Sequence, residues 1–137
     1  METSVPGVFA CGNVLHVHDL ADYVTVESQR AGKAAARFVL EGAADGRAIS
    51  TKNGEGVVYT VPQKIRIQNN METTELFFRV NQVFKNGRVD LKAGDKNLKS
   101  VTRGPMAPGE MQRIIIPAEL LENVTDTLVV SAKEAAV

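Results

Sequence analysis

The chain of 137 residues has a single cysteine, no excess of either charge and no long apolar run. Cys11 cannot form an intrachain disulfide, which fits a reducing compartment. With 16 basic and 16 acidic residues, the chain lacks the positive field of a nucleic-acid-binding protein. No segment approaches the roughly 18 apolar residues of a membrane span, and no signal peptide is recognisable. We therefore expect a cytoplasmic protein that binds neither nucleic acid nor membrane.

Residues 1–45 have the pattern of one strand followed by one helix. Residues 8–11 are small or apolar and follow a Pro-Gly turn, which predicts a buried strand that ends at Gly12 and Asn13. A helical pattern then runs from about residue 22 to residue 40. Because open α/β sheets bind ligands beyond the carboxyl ends of their strands, Gly12 and Asn13 are candidate ligand contacts.

The remainder of the chain changes its period from helical to alternating. Residues 46–56 are polar, rich in glycine and without periodicity, and they predict a linker. Residues 57–137 contain six or seven short alternating runs separated by turn residues, and Asn86-Gly87 predicts a hairpin turn. The expected fold class is α+β, with an N-terminal strand–loop–helix followed by a small antiparallel β-sandwich.

The opening segment carries a recognisable motif. Residues 5–14 read V-P-G-V-F-A-C-G-N-V, and residues 31–36 read A-G-K-A-A-A. This order resembles the last flavin-contacting segment of the FAD-dependent pyridine nucleotide-disulfide oxidoreductases, the family of thioredoxin reductases and NADH oxidases. The resemblance covers about residues 3–42. Its continuation through residues 15–24 resembles a bacterial subgroup with an extra C-terminal β domain.

The resemblance implies which residues would contact a cofactor. In the family a V-P-G-V-F-A-x-G-D strand ends beside the flavin, and the next helix points its N-terminus at the isoalloxazine ring. Gly12, Asn13, Tyr23 and Val24 are therefore expected to bind FAD. Asn13 stands where the family has aspartate, so an acceptor for a ribityl hydroxyl is kept while a negative charge is lost. Backbone N–H groups near Tyr23, Val24 and Thr25 would face the pyrimidine edge of the flavin and stabilise the charge of its reduced form.

Two motifs of the family are missing from this chain. It has no G-x-G-x-x-G, so the sites for the FAD and NAD pyrophosphates are absent, and no C-x-x-C, so no redox disulfide can be placed. We therefore expect the C-terminal part of an FAD-dependent, NAD(P)H-linked oxidoreductase, inactive as an isolated chain. Residues 1–45 would be a remnant of the FAD-binding domain. FAD would be bound only in the intact parent protein, and no catalytic residue is assigned.

A second hypothesis comes from another functional class. The chain would be a non-enzymatic β-sandwich module for interaction or oligomerisation, with residues 1–45 packed on it or on another copy. Exposed apolar residues would then drive self-association. Under the first hypothesis the expected partner is instead a companion flavoprotein subunit.

The two histidines of the chain form an H-x-H sequence that suggests a metal site. On a strand, His16 and His18 would face the same side, with Asp19 and Asp22 nearby. The metallohydrolase pattern H-x-H-x-D-H is not completed, because positions 20 and 21 are leucine and alanine. Since two histidines alone are a poor zinc site, no metal ligand is predicted, and a role in lining the flavin or an interface is favoured.

Two further candidates are given structural roles. Glu27, Arg30 and Lys33 recur at spacings of three and predict a solvated helix face with weak ion pairs. Cys11 lies among apolar residues without a neighbouring base or cation, which predicts a buried, unreactive thiol.

Overall fold

The chain folds into two compact units, Met1–Asp45 and Gly46–Val137. The residues that the computed structural model describes are 1–43, 46–67, 71, 73–125 and 127–136. Within these ranges the structure has one α-helix and two sheets, which confirms the predicted α+β class. Nowhere in the described ranges does a helix combine the length and the hydropathy that crossing a membrane requires.

The first unit consists of a 3₁₀ turn at Gly12–Val14 and a helix, α1, at Ala21–Glu41. The helix matches the predicted one within a residue at each end. It stops at Gly42, whose φ of +83° is the left-handed conformation that ends many helices. At the other end, Leu20 precedes the first turn and makes no side-chain capping hydrogen bond.

The strand expected at residues 8–11 is not formed, and this prediction was wrong. Phe9 makes only an isolated antiparallel bridge with Glu2. A strand needs neighbours on which to repeat its hydrogen bonds, and Met1–Asp45 supplies no more than this bridge among its described residues. The Phe9 ring instead lies edge-on to Phe38 of α1, with ring centroids 6.1 Å apart.

The second unit is built from strands arranged in two sheets. The described strands are β1 (Ala48–Asn53), β2 (Val57–Val61), β3 (Lys64–Arg66), β4 (Thr73–Val80), β5 (Gly87–Ala93), β6 (Lys96–Thr102), β7 (Gln112–Pro117) and β8 (Leu128–Glu134). One sheet has the order β3-β1-β8-β5-β6 and the other has the order β2-β4-β7. Neighbouring strands are antiparallel except β1 and β8, which pair in parallel.

Both sheets contribute to one hydrophobic core, and their alternating patterns identify it. Leu76, Phe78 and Val80 of β4 are fully buried, as are Val89 and Leu91 of β5. This confirms the alternation read from the sequence. The other side chains below 2% exposure are Met106, Ile114, Ile116, Leu121, Leu128 and Val130.

The segment predicted as a linker, residues 46–56, contains strand β1. Ile49 and Thr51 point inward, while Ser50 and Lys52 are exposed. The alternation is therefore present, but one of its two buried positions is a threonine, which hides the apolar pattern. The strand is stabilised by β8 from the far end of the chain, a partner that local composition cannot reveal.

The hairpin predicted at Asn86-Gly87 was also wrong. Strand β5 begins at Gly87, and the preceding strand β4 belongs to the other sheet. The two-residue hairpin loop is Gly94-Asp95, between β5 and β6, with Gly94 at a φ of +56°. Gly87 has a different reason to be glycine, because a Cβ there would collide with the side chain of Met106.

Candidate functional site

Gly12 is a buried residue that connects the N-terminal segment to helix α1. Its φ of +71° is a conformation that side chains disfavour. A Cβ at this position would lie 3.5 Å from Val24 Cγ1, an ordinary contact, so the backbone conformation rather than crowding calls for glycine. The Gly12 N–H donates a hydrogen bond of 2.7 Å to Glu27 Oε1. The turn is therefore held on the helix by its own backbone.

Asn13, the next predicted contact, is exposed. Its Oδ1 accepts a hydrogen bond of 3.2 Å from the backbone N–H of His18. The side chain thus organises the loop between the 3₁₀ turn and α1 while remaining at the surface. At this exposed position the Asn13 amide is accessible to a ligand.

Tyr23 and Val24 lie in the first turn of α1 but differ in exposure. The Tyr23 side chain is 47% exposed, and Val24 is half-buried against Gly12. The Tyr23 N–H already donates to the Leu20 carbonyl over 3.1 Å. The backbone donor of Tyr23 is therefore used inside the turn.

His16, His18 and Glu27 converge in the interior of the first unit. Their side chains are 2%, 2% and 4% exposed. His16 Nε2 lies 2.8 Å from Glu27 Oε2, and His18 Nε2 lies 3.0 Å from Glu27 Oε1. A carboxylate oxygen only accepts, so both Nε2 atoms carry hydrogen and donate. Together with the Gly12 N–H, they give the carboxylate three hydrogen bonds, and we call these three side chains the His–Glu cluster.

The electrostatics of the cluster favour an ionised glutamate. Burial by itself raises the pKa of the Glu27 carboxyl. Hydrogen bonds from His16, His18 and the Gly12 backbone outweigh this effect and hold the pKa below the usual glutamate value. Glu27 is therefore a buried anion that three donors stabilise.

The position of Glu27 corrects the prediction that it lies on a solvated face. Arg30 and Lys33 are exposed as expected, but Glu27 is buried. Residues three apart on a helix drift by about 60° around its axis, so a series of them does not stay on one face. Glu27 follows Val24 by three positions and precedes the buried Ala31 by four, which places it on the apolar face. A carboxylate within that apolar spacing was the signal that could have found the cluster.

The carboxylate beside the two histidines is Glu27 rather than Asp19 or Asp22, which the sequence suggested. His16 and His18 follow the 3₁₀ turn in a loop rather than a strand, and their ring centroids are 4.4 Å apart. Asp19 is exposed in that loop and Asp22 is exposed at the start of α1. The ligand-type atoms of His16, His18 and Glu27 all lie within 4.8 Å of one another. The third potential ligand comes from the helix, nine residues beyond His18.

Cys11, directly before the turn, is partly exposed, whereas a buried thiol was predicted. The difference follows from the missing strand. A thiol inside a sheet would have been covered by neighbouring strands, whereas the segment around Phe9 forms only an isolated bridge.

A second buried carboxylate lies in the second unit. Asp90 of β5 is 4% exposed and accepts hydrogen bonds from Ser100 Oγ (2.6 Å) and Arg88 Nε (2.8 Å), with Lys133 Nζ 3.4 Å away. Burial raises the pKa of the Asp90 carboxyl, but the hydrogen bonds and positive charges of its partners outweigh burial and hold the pKa below the usual aspartate value. Its partners come from its own strand (Arg88) and from the neighbouring strands β6 and β8, so Asp90 has the features of a structural residue.

Comparison of the chain with protein-family models, with curated proteins and with solved structures finds no match. The functional interpretation therefore depends on the residues of the first unit. These are a glycine turn fixed on a helix, an exposed asparagine beside it, a helix start without a side-chain cap, and the buried His–Glu cluster.

Proposed function

We propose that this chain is the C-terminal part of an FAD-dependent, NAD(P)H-linked oxidoreductase, and that the isolated chain is inactive. The observation that carries the proposal is the motif at residues 5–14 together with the way its Gly12 turn is held against α1. FAD would lie beside Gly12 and Asn13, near the start of α1. The bound flavin would supply the redox chemistry.

The residues of this turn suit contact with a flat cofactor. Gly12 has no side chain and a positive φ, so backbone can approach a ring closely. Asn13 is exposed and offers an amide that can hydrogen-bond a ribityl hydroxyl. Asn13 also holds the His18 backbone, so its orientation does not depend on the ligand.

Helix α1 would contribute an electrostatic effect. Its first turn has no side-chain cap, which leaves the positive end of the helix dipole available to an anion. Negative charge on a reduced flavin placed there would be stabilised by about 0.3–1 kcal/mol, or up to ~2 kcal/mol if partly buried. Because the Tyr23 N–H is already used, this effect would come from the N–H groups that precede it.

The exposed apolar side chains of the first unit support the proposal that further protein packs on it. Ala31 is the one buried apolar residue among its described residues. The large apolar side chains that are at least 45% exposed are Val5, Val8, Val14, Val17, Leu20, Tyr23, Val26, Val39 and Leu40. A unit of this size buries little apolar surface in its own core. Apolar side chains exposed in such number are typical of a surface that contacts other protein. In our proposal the remainder of an FAD-binding domain covers them.

The second unit would have no catalytic part in this proposal. Its buried carboxylate is engaged by neighbouring strands, and its interior is a continuous apolar core. We propose that it serves as a docking or oligomerisation module of the parent oxidoreductase, which is then the cytoplasmic protein expected from the sequence.

The test compares FAD binding by the isolated chain and by the complete product of its native gene. We expect no visible flavin spectrum for the isolated chain and bound FAD for the complete product. In the complete product, Asn13→Leu should weaken FAD binding, whereas Asn13→Asp keeps the acceptor oxygen and should bind FAD. Asn123→Ala, an exposed asparagine of the second unit, is the matched control. Equal FAD affinity in all four proteins would contradict the assigned contact.

The alternative function, a non-enzymatic interaction module, is favoured by the same exposed apolar side chains. It predicts that the isolated chain forms a defined oligomer and that the complete product contains no flavin. Analytical ultracentrifugation and a visible spectrum of the same sample distinguish the two hypotheses.

A further inference from the structure

The His–Glu cluster joins the loop to helix α1, and the flavin hypothesis gives it no role. We propose that His16, His18 and Glu27 bind a divalent first-row transition metal ion, such as Zn²⁺, in a structural site of the first unit. This inference does not depend on the proposed FAD function. It follows from the ligand atoms, their orientation and their burial.

The atoms that face one another are those that bind such ions. Imidazole nitrogens and a carboxylate oxygen suit Zn²⁺ and other divalent first-row metals, and two histidines with one carboxylate form an established ligand set that leaves further positions open. Both Nε2 atoms are directed at the same carboxylate, and the three ligand-type atoms lie within 4.8 Å.

The separations in the cluster are close to those of a coordination shell. Metal–ligand bonds of about 2.1 Å at the tetrahedral angle of a structural zinc site place neighbouring ligand atoms about 3.4 Å apart. The Nε2–carboxylate separations are 2.8 Å for His16 and 3.0 Å for His18. Small rotations of the side chains would therefore open a position for an ion without moving the backbone.

The surroundings orient the ligands as a second layer does around bound metals. The Gly12 N–H donates to Glu27 Oε1 over 2.7 Å. This hydrogen bond orients the carboxylate and leaves Oε2 as the oxygen that would bind the ion. Asn13 Oδ1 holds the backbone of His18. Both contacts come from the turn at the head of the loop.

Coordination requires a defined change in the histidines. In the hydrogen-bonded cluster each Nε2 carries hydrogen, but a metal ligand must offer that nitrogen as a bare lone pair. Each neutral imidazole would move its proton to Nδ1. Among the described residues, His18 Nδ1 is buried without a hydrogen-bond partner, so only Glu27 holds this ring in its present tautomer.

Burial favours a structural ion over a catalytic one. With side chains only 2–4% exposed, the cluster gives a substrate little access. An ion there would join the loop that carries the histidines to helix α1. Binding should therefore raise the melting temperature of the first unit, since a ligand that binds only the folded state stabilises it.

The experiment uses the full chain without a histidine tag, because such a tag binds the same ions. The chain has only two histidines, so a long-range ¹H–¹⁵N NMR spectrum of the imidazoles reports on these two rings alone. On titration with Zn²⁺ we expect one ion per chain, and both rings should change from the Nε2–H to the Nδ1–H tautomer. Calorimetry of the same titration gives the affinity.

Variants show whether these three side chains are the ligands. Glu27→Gln and His18→Ala should lower Zn²⁺ affinity by about 100-fold or more, since loss of even indirect support costs about 10–100-fold. The controls are Glu41→Gln, an exposed carboxylate of the same helix, and Cys11→Ser, which removes the one thiol. Both should bind as the unmodified chain does.

Three results would overturn the proposal. The imidazole signals of the unmodified chain could stay unchanged at millimolar Zn²⁺, a folded Glu27→Gln variant could keep full affinity, or Cys11→Ser could abolish binding. Should Glu27→Gln fail to fold, as judged by circular dichroism, the NMR titration of the unmodified chain decides by itself.

Discussion

At the scale of single residues, Glu27 has the largest structural role in the first unit. It accepts hydrogen bonds from both histidines and from the Gly12 backbone, and it is the point where the loop meets the helix. The carboxylate and its three donors together stabilise the folded unit. If the carboxylate is removed, the three buried donors lose their acceptor, which destabilises the folded unit.

Replacing Glu27 by alanine should destabilise the first unit by about 1–3 kcal/mol, because the buried N–H groups of His16, His18 and Gly12 lose their acceptor. Thermal unfolding followed by the helical circular dichroism signal measures this. Glu41→Ala removes an exposed carboxylate 4.0 Å from Arg37 and should change stability by less than about 0.5 kcal/mol. Equal effects of the two variants would contradict the assigned role.

Asp90 predicts a dependence of stability on pH. Its pKa in the folded state is depressed, so its stabilising contribution is complete above its unfolded pKa of about 3.9 and is lost as pH falls through the lower folded value. Asp90→Asn should therefore lower stability by about 1–3 kcal/mol at neutral pH, and the difference should shrink below about pH 4. Urea denaturation at pH 7 and pH 3 measures both values. A difference that is the same at both pH values would contradict this role.

At the scale of elements, glycine has opposite effects in helix α1 and in the turn before it. It weakens the helix, whereas the turn requires it. Gly32 lies inside the helix, and a Cβ there would meet open space, whereas Gly12 has a φ of +71°. Gly32→Ala should stabilise the helix by about 0.5–1 kcal/mol. Gly12→Ala should destabilise the unit by about 1–2 kcal/mol, since a left-handed conformation disfavours a side chain. Thermal unfolding of the two variants should give shifts of opposite sign, and a stabilised Gly12→Ala variant would contradict the turn geometry.

The elements also show what the sequence could and could not predict. Helix α1 was predictable because the apolar spacing around Ala31 and the stop at Gly42 are local signals. Strand β1 was missed because Thr51 hides its apolar alternation and because β8, one of its two partner strands, lies at the other end of the chain. The hairpin was misplaced because Asn-Gly is a common turn, while the loop that forms is Gly94-Asp95.

The candidate site was predictable only in part, and for the same physical reason. Gly12 and Asn13 could be selected from a motif that is continuous in sequence. The His–Glu cluster needs the fold, because Glu27 reaches His16 and His18 only when the loop turns back onto α1. Its helix position could be calculated, but its partners across the loop could not.

At the scale of the whole molecule, the two units differ in how they are stabilised. Gly46–Val137 has a continuous apolar core drawn from both sheets, whereas Met1–Asp45 has one buried apolar residue among those described and many exposed ones. The first unit is thus the part whose stability depends most on polar contacts and on whatever covers it.

The second unit should therefore fold without the first. A chain of residues 46–137 is expected to unfold cooperatively and to retain slow amide exchange in β4, β5 and β8, whose side chains form the core. Circular dichroism and hydrogen exchange test this. A fragment without a cooperative transition would show that the core described for the second unit is insufficient on its own.

The central claim is that the glycine turn and helix α1 belong to a flavin site completed by further protein. The most direct measurement isolates the native protein from its source cells with an antibody against the second unit, then records its mass and visible spectrum. We predict a larger polypeptide or a complex that carries FAD. A native protein of 137 residues, without a companion chain and without flavin, would contradict the claim.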